Sequence, residues 1–109
     1  LDGLNAHFVI CDEVHAWKDK NLLDVMYDSM SAREQPMLLE TSTMGTVRES
    51  VFDNEYEYFS EIIAGYEGKS NVVDETVLPV IYELDNPNEW QDEKKWYKAN
   101  PRAWCYKKY

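Results

Sequence analysis

A short apolar run ends abruptly in two adjacent carboxylates: Ala6-His7-Phe8-Val9-Ile10-Cys11-Asp12-Glu13. Its hydrophobicity is continuous rather than alternating, which is typical of a strand covered on both faces in a parallel sheet. Ligands of open α/β sheets bind at the carboxyl ends of such strands. The run therefore predicts a covered parallel strand that delivers Asp12 and Glu13 into a ligand pocket.

A helix and a second strand are predicted next along the chain. Asp19 can cap a helix whose apolar residues recur at helical spacing as far as Met30. Pro36 closes the connection that follows, and the sequence Met-Leu-Leu-Glu-Thr-Ser at 37–42 predicts a strand. This second strand leaves into a turn at Thr43-Met44-Gly45.

The remaining sequence predicts a long helix, a third strand and a short last helix. Over residues 48–66 the apolar residues fall at offsets of four, three, four and three: Phe52, Tyr56, Phe59, Ile63 and Tyr66. Residues 76–84 are rich in branched and aromatic side chains, and Pro79 favours an edge position for that strand. The last helix begins at Asp92 and ends before Pro101. This alternation predicts an α/β layered sheet with right-handed crossovers.

The composition indicates a globular domain with an acidic surface. The 109 residues are 44% hydrophobic and 14% aromatic, too apolar for a disordered segment despite a formal net charge of -10. Between residues 49 and 93 acidic residues outnumber basic ones thirteen to one, and only basic charges follow Glu93. An acidic body repels a phosphate backbone, so we do not expect this piece alone to bind DNA tightly. The basic tail is either a solvated terminus or a nucleic-acid contact.

The cysteines and the hydropathy pattern point to a reducing compartment. Cys11 and Cys105 lie far apart in different contexts, which argues against a disulfide framework. No uninterrupted apolar stretch approaches the length of a membrane span, so we expect a cytoplasmic protein without a membrane partner. The chain begins with Leu1 rather than methionine, and we therefore expect further sequence upstream of it.

The acid pair is the strongest candidate for chemistry. At the end of a hydrophobic strand, a nucleotide hydrolase needs an aspartate that orients the Mg²⁺ shell and a glutamate that polarises the attacking water. Neighbouring residues on an extended strand point to opposite sides, so Asp12 and Glu13 can fill these two roles from one strand end. From spacing alone, the alternative is a solvated acid pair at a strand end.

Three other features lie near the expected pocket. The turn Ser42-Thr43-Met44-Gly45 can face the γ-phosphate beside the acid pair, although such hydroxyl-rich turns are common in any protein. His15 completes Asp-Glu-Val-His, which also resembles the DExH box of superfamily 2 helicases; its other interpretation is a structural or capping imidazole. Arg33 is either a phosphate or subunit-interface contact or a solvated arginine.

Several segments together resemble the large terminase subunit of tailed phages, in the order that the family has them. Leu1-Asp2-Gly3-Leu4-Asn5, followed by residues 8–19, is similar to the family's Walker B segment. Residues 32–39 are similar to the stretch before its coupling motif, where Ser42-Thr43-Met44-Gly45 takes the place of a Thr-Thr-Ala-Gly type of sequence. Segments similar to those that close the ATPase domain are 81–85, 89–90 and Trp96-Tyr97-Lys98-Ala99-Asn100-Pro101.

The resemblance implies part of a P-loop NTPase sheet of the ASCE or RecA-like type, with flanking helices, incomplete without its N-terminal half. Residues 1–92 would be the C-terminal half of the ATPase domain, and residues 93–109 a closing helix and the start of a linker toward a nuclease domain. The complete protein would hydrolyse ATP to package viral DNA in the host cytoplasm. Its implied partners are double-stranded DNA, the portal protein, the terminase small subunit and further copies of itself.

The resemblance also implies roles for individual residues. Asp12 would hold Mg²⁺ through water, Glu13 would be the catalytic carboxylate, and the ATP-binding positions would be Ser42, Thr43 and Gly45. In addition, Ser42 and Thr43 would link hydrolysis to movement.

The chain departs from the family pattern in one important respect. The sequence Gly-x-x-x-x-Gly-Lys-[Ser/Thr], which forms the phosphate cradle, does not occur in it. The chain alone is therefore predicted to be inactive. Two alternatives stay open at this point, a DExH-type helicase fragment and a non-catalytic acidic interaction protein. A helicase would be expected to carry Ser-Ala-Thr in the later motif.

Overall fold

The computed structural model describes residues 3–45 and 50–104. Two strands and two α-helices alternate in the first part of the chain: β1 (Phe8–Cys11), α1 (Asn21–Ser29), β2 (Met37–Glu40) and α2 (Val51–Tyr66). Short 3-10 helices account for the other helical segments: Val14–Ala16, Pro87–Gln91, Glu93–Lys98 and Pro101–Trp104. The contacts divide the chain into two units, which meet in sequence at Val72 and Val73.

β1 and β2 form a two-stranded parallel sheet. Phe8 pairs with Met37 at one end of the register, and Cys11 pairs with Glu40 at the other. A parallel pair needs a crossover connection, and here it contains α1. The predicted α/β arrangement of parallel strands with helices is therefore confirmed for the first two strands.

The core lies on one face of this sheet. A cluster of buried residues joins the end of β1 to both helices: Cys11, Val14, Leu23 and Val51, with Val9, Trp17 and Leu38 packed against it. Alternate strand residues point to the opposite face. These are exposed, by 47% at Phe8, 58% at Ile10, 56% at Met37 and 42% at Leu39. The prediction that β1 is covered on both faces is therefore wrong, because the helices cover only one face of the sheet.

Both helices form near their predicted positions. Asp19 lies two residues before α1, and its Oδ1 accepts a hydrogen bond of 2.9 Å from the backbone N–H of Asn21. This contact satisfies one of the donors that a helix start leaves without a partner. α2 ends at the predicted Tyr66, whereas the predicted first residue, Arg48, lies outside the described residues.

The buried face of α2 differs from the predicted apolar stripe. Val51 and Ile62 are its buried residues, whereas Tyr56 and Tyr66 of the stripe are exposed. Glu55 lies on the same side as Val51, one turn along the helix, and its carboxylate pairs with Lys20 at 3.2 Å. This ion pair allows a charged residue to occupy a largely covered position. The buried face of α2 thus includes a glutamate and excludes two of the predicted tyrosines, and it is less aromatic than the periodicity indicates.

Gly65 lets the chain fold back tightly after α2. A Cβ atom at this position would lie 1.9 Å from the carbonyl oxygen of Val72, far inside van der Waals contact. Any side chain here would force the two backbone segments apart. The close approach therefore depends on glycine.

The second unit begins at Val73 and contains only 3-10 helices among its described residues. The third strand predicted at 76–84 is not formed: this segment is irregular, and Leu78 is 88% exposed. A strand is stabilised by pairing and by burial of one face, so β-propensity alone does not produce one. The predicted last helix is a 3-10 helix, Glu93–Lys98, which Asp92 caps by accepting the N–H of Lys94 at 3.0 Å.

An ion-pair network organises the second unit. Lys98 binds the carboxylates of both Asp85 and Glu89, and Lys95 lies 3.0 Å from Glu89. Hydrogen bonds from Lys95, and further ones from Lys98 and the Asp85 backbone, lower the pKa of Glu89 to about 2. The same network raises the pKa of Lys98, through its hydrogen bonds to Asp85 and then Glu89. The predicted domain boundary between residues 92 and 93 stays a prediction.

Candidate active site

The acid pair and the hydroxyl-bearing turn leave the sheet at the same edge. Beyond the last paired residues, the N–H of Thr41 donates to the carbonyl oxygen of Cys11 at 2.9 Å, and the N–H of Val14 donates to the carbonyl oxygen of Thr41 at 3.3 Å. These bonds hold the two segments together after the strands end. The structure therefore brings Asp12 and Glu13 beside the turn that begins at Ser42, as the strand order predicts.

Asp12 is oriented by two hydrogen bonds to one oxygen. The hydroxyl of Thr41 donates to Oδ1 at 2.5 Å, and the backbone N–H of Glu13 donates to the same oxygen at 2.9 Å. The indole N–H of Trp17 donates to the Asp12 carbonyl oxygen at 3.2 Å and so restrains the backbone as well. Asp12 is exposed, so its carboxylate is both fixed in direction and accessible to a ligand.

Glu13 lies in a left-handed backbone conformation, with φ 55° and ψ 44°. It is the only residue other than glycine with positive φ among those described. Such a conformation costs an L-residue roughly 1–2 kcal/mol. It turns the chain out of β1 into the 3-10 helix Val14–Ala16. Glu13 is thus not extended, and its direction is set by this turn rather than by the strand alternation assumed from the sequence.

His15 connects Glu13 to the hydroxyl-bearing turn. Its Nε2 lies 3.2 Å from Oε2 of Glu13, and its Nδ1 lies 3.2 Å from Oγ of Ser42. The backbone N–H of His15 also donates to Oγ of Ser42 at 3.0 Å, and Oγ1 of Thr43 lies 3.5 Å from Nδ1. The imidazole therefore lies between the candidate catalytic carboxylate and both hydroxyls of the turn.

Gly45 allows the turn to pack against this imidazole. A Cβ atom at position 45 would lie 2.9 Å from Cβ of His15 and 3.3 Å from its Cδ2. Real Cβ atoms are almost never that close to another heavy atom. The structure thus gives Gly45 a steric role beside His15, whereas its predicted contact with ATP stays a prediction.

A partly buried carboxyl lies at the end of β2, on the core side of the site. Burial, reinforced by the negative charge of Glu55, raises the pKa of Glu40 to about 7, while Lys20 acts in the opposite direction. Burial also raises the pKa of the Cys11 thiol, and the nearby Glu40 adds to this effect. The thiol is therefore kept neutral, which agrees with a small buried hydrophobe rather than a reactive group.

Sequence reasoning missed two of the residues that organise this site. Thr41 was assigned only to the second strand, although its hydroxyl orients Asp12. The sequence does not decide between a helicase-like box and a structural role for His15, whereas the structure shows that it contacts both halves of the site. Both contacts join residues 27 to 29 positions apart in the chain, so no local sequence pattern signals them. Arg33 donates from Nη2 to the carbonyl oxygen of Asn5 at 2.9 Å, so it ties the start of the described chain to the loop after α1.

Comparison with known proteins identifies the family. The profile of the family described as the terminase large subunit, ATPase domain, matches residues 1–61, which include β1, β2 and the whole acid and hydroxyl site. The chain belongs to the terminase large subunit ATPase domain family. This agrees with the resemblance deduced from the Walker B and coupling segments, and it favours a terminase over a helicase.

One relative extends the match beyond this segment. The curated protein YmfN of Escherichia coli (strain K12) is 30% identical to this terminase-family chain over 100 residues, covering 92% of the chain but 21% of that protein. The chain therefore spans about a fifth of the length of this relative. No solved structure matches it. Among the described helices, none has the length and apolar character needed to cross a membrane.

Proposed function

We propose that this chain supplies the Walker B carboxylates and the coupling turn of an ATPase that drives viral DNA into a procapsid. The supporting observation is the meeting of Asp12 and Glu13 with the hydroxyls of Thr41, Ser42 and Thr43 at one edge of the sheet. All of these residues lie within the segment matched by the terminase ATPase family.

In the proposed reaction Glu13 acts as the general base. The oxygen of a water molecule forms a bond to the γ-phosphorus of ATP while the bond to the β–γ bridging oxygen breaks, releasing ADP and phosphate. The Glu13 carboxylate, whose side chain is 58% exposed, accepts the proton of the attacking water. Assistance of this kind is worth on the order of 10² to 10⁴ in rate.

Asp12 is proposed to bind Mg²⁺ through water. Mg²⁺ prefers oxygen ligands and is usually held by one or two carboxylates together with substrate phosphates and waters. The described residues contain no cluster of three or more His, Cys, Asp or Glu side chains that could enclose a metal. The single, oriented carboxylate of Asp12 therefore fits an ion shared with a nucleotide. When bound there, Mg²⁺ would neutralise charge on the β- and γ-phosphates.

Ser42 and Thr43 are proposed to contact the γ-phosphate and to couple hydrolysis to DNA movement. Both are exposed, and both hydroxyls lie within 3.5 Å of the imidazole that contacts Glu13. A hydroxyl can donate to a phosphate oxygen and loses this acceptor when the phosphate leaves. The turn thus has the chemistry required to sense whether the γ-phosphate is present.

The proposed context is a larger parallel sheet of the P-loop NTPase type, in a motor that works in the host cytoplasm with double-stranded DNA, the portal protein and the small subunit. The 109 residues contain no Gly-x-x-x-x-Gly-Lys-[Ser/Thr] segment. That segment supplies most of the backbone donors to the phosphates. We therefore propose that the chain alone is catalytically inactive.

Two measurements test the proposed function. Isothermal titration of Mg-ATP into the 109-residue chain should show no binding with a sub-millimolar dissociation constant. Tighter binding would contradict the proposal that the chain lacks a phosphate cradle. In a full-length terminase large subunit containing this segment, Glu13→Gln should reduce ATP turnover about 10² to 10⁴-fold. Glu61→Gln, which changes an exposed acid on α2, is the matched control and should leave turnover unchanged. Normal turnover in Glu13→Gln would refute the role proposed for Glu13.

A further inference from the structure

Whether Nδ1 of His15 donates or accepts a hydrogen bond depends on where the Ser42 hydroxyl donates its proton. Oγ of Ser42 carries one proton, and two acceptors lie within reach of it, the Thr43 carbonyl oxygen at 2.9 Å and Nδ1 of His15 at 3.2 Å. A hydroxyl has one donor and two acceptor positions, so it can donate to only one of them at a time. The choice at Ser42 therefore determines whether Nδ1 must act as an acceptor or as a donor.

In a neutral ring, the protonation of Nδ1 determines the protonation of Nε2 on the opposite side. In neutral histidine one ring nitrogen carries the proton and the other does not. If Ser42 donates to Nδ1, the proton is on Nε2, which donates to the Glu13 carboxylate 3.2 Å away. If Ser42 donates elsewhere, Nδ1–H donates to Ser42, and Nε2 of the neutral ring has no proton to offer Glu13.

We propose that His15 is a positioning residue that links the γ-phosphate-sensing turn to the catalytic carboxylate. This inference rests on the proposed function. A phosphate oxygen is a stronger acceptor than Nδ1 or a carbonyl, so a bound γ-phosphate draws the Ser42 hydroxyl towards itself. The partly exposed ring then takes a proton from solvent at Nδ1 and gives one to solvent from Nε2, so Nε2 releases Glu13 and the carboxylate becomes available to the attacking water. Without the phosphate, whenever Ser42 donates to Nδ1 rather than to the Thr43 carbonyl, the Nε2–H bond holds Glu13 away from unproductive contacts.

The surroundings of His15 keep it in place for this role. Its backbone N–H is bound to Ser42, Gly45 packs against its Cβ, and its side chain is 23% exposed. Both ring nitrogens lie within hydrogen-bonding distance of residues assigned to the site: Nε2 of Glu13, and Nδ1 of Ser42 and Thr43. The histidine that makes the Asp-Glu-Val-His segment resemble a helicase box therefore has a local physical role here.

Nuclear magnetic resonance of the 109-residue chain tests the contact directly. Long-range ¹H–¹⁵N correlation spectra report which ring nitrogen of each histidine carries the proton. The chain contains two histidines, so His7, whose side chain is exposed and outside the site, is an internal reference. Ser42→Ala should change the ring nitrogen shifts of His15 and leave those of His7 unchanged, whereas Ser31→Ala should change neither. Unchanged His15 shifts in Ser42→Ala would overturn the proposal.

Steady-state kinetics of a full-length terminase large subunit containing this segment tests the role. His15→Phe should reduce kcat about 10- to 100-fold with little change in KM for ATP, because Glu13 is no longer kept from unproductive contacts before the γ-phosphate arrives; a hydrogen bond to a charged group is worth about this much. Asn reproduces only the Nδ1 end of the ring, and Gln only the Nε2 end. Neither His15→Asn nor His15→Gln should therefore restore kcat, because each spans only half of the link. His7→Asn is the control and should have wild-type kinetics.

The same assay separates the two proposals. If His15 acts through Glu13, adding His15→Phe to Glu13→Gln should cause no further loss of kcat. Wild-type turnover in Glu13→Gln would refute the proposed function. A large loss in Glu13→Gln, combined with wild-type kcat in His15→Phe, would refute only the role of His15. Full rescue by His15→Gln would also refute the link to Ser42.

Discussion

The hydroxyl of Thr41 donates a 2.5 Å hydrogen bond to Oδ1 of Asp12, and so joins the residues that follow the two strands. Thr41 is the first residue after β2, and Asp12 is the first after β1. The bond fixes the carboxylate relative to the sheet rather than to its own loop. Any ligand held by Asp12 is thereby positioned relative to the hydroxyls that follow Thr41.

Replacing this hydroxyl should weaken the proposed Mg²⁺ contact. In the full-length protein, Thr41→Val should raise the Mg²⁺ concentration needed for half-maximal ATPase activity, because the Asp12 carboxylate loses one of its two orienting donors. In the 109-residue chain it should lower the free energy of unfolding by about 1 kcal/mol. Thr41→Ser keeps the hydroxyl and should retain both properties. Equal Mg²⁺ dependence in the valine and serine variants would show that Asp12 does not need this bond.

The left-handed conformation of Glu13 predicts a conflict between stability and activity. Glu13→Gly should raise the free energy of unfolding by about 0.5–1 kcal/mol, because glycine adopts positive φ without strain but loses more entropy on folding. Glu13→Ala removes the same carboxylate yet keeps the strain, so it should not be stabilised. Urea unfolding of both variants measures the difference. A glycine variant no more stable than the alanine variant would argue against strain at this position.

Local patterns predicted the first half of the fold well. The apolar run ending at Cys11, the cap at Asp19 and the helix ending at Tyr66 all depend on neighbours in sequence, and each element is present. The meeting of the acid pair with the turn at Ser42 followed from a topological rule: the carboxyl ends of parallel strands share one edge. These features needed no knowledge of distant contacts.

The features that were missed depend on tertiary context. The strand predicted at 76–84 has suitable residues, but among the described residues this segment pairs with no strand. The buried side of α2 is decided partly by the Glu55–Lys20 ion pair, which periodicity does not detect. The positive φ of Glu13 is unusual for a glutamate, so the residue type does not predict it. The link through His15 follows from that turn.

Two glycine substitutions should differ in severity because their neighbours differ. Gly65→Ala places a Cβ 1.9 Å from the Val72 backbone oxygen, whereas Gly45→Ala places one 2.9 Å from the His15 side chain. A backbone clash requires a whole segment to move, so Gly65→Ala should cost at least about 2–3 kcal/mol of unfolding free energy. Gly45→Ala should cost less and should instead shift the His15 ring signals. Thermal unfolding of both variants checks the order, and the reverse order would contradict these contacts.

The raised pKa of Glu40 predicts that this residue destabilises the fold as pH rises. Its carboxyl has a pKa of about 7 in the folded chain, raised by burial from the ordinary value of 4.5. The folded state therefore binds the proton more tightly, and stability falls between about pH 4.5 and pH 7. After allowance for partial solvent screening, the loss is about 1–2 kcal/mol.

Substitution of Glu40 and of its neighbour Lys20 isolates this effect from the other carboxylates. Glu40→Gln should be more stable than wild type at pH 8 and similar to it at pH 4. Lys20→Met should behave in the opposite way and steepen the fall, because Lys20 lowers the pKa of Glu40. Urea unfolding across this pH range measures both differences. Parallel wild-type and Glu40→Gln curves would show that Glu40 titrates normally.

The exposed apolar face of the sheet predicts self-association of the 109-residue chain. Phe8 and Ile10 of β1 lie beside Met37 and Leu39 of β2 on this face, and all four are exposed. Parallel sheets normally have both faces covered, and an uncovered apolar patch of this kind promotes association. Ile10→Lys should therefore reduce the apparent mass in light scattering coupled to size-exclusion chromatography. Leu78→Lys, at an exposed leucine of the second unit, should not. A monodisperse wild-type monomer with a cooperative melt would instead support a free-standing interaction protein, because such a protein must be stable with this face in water.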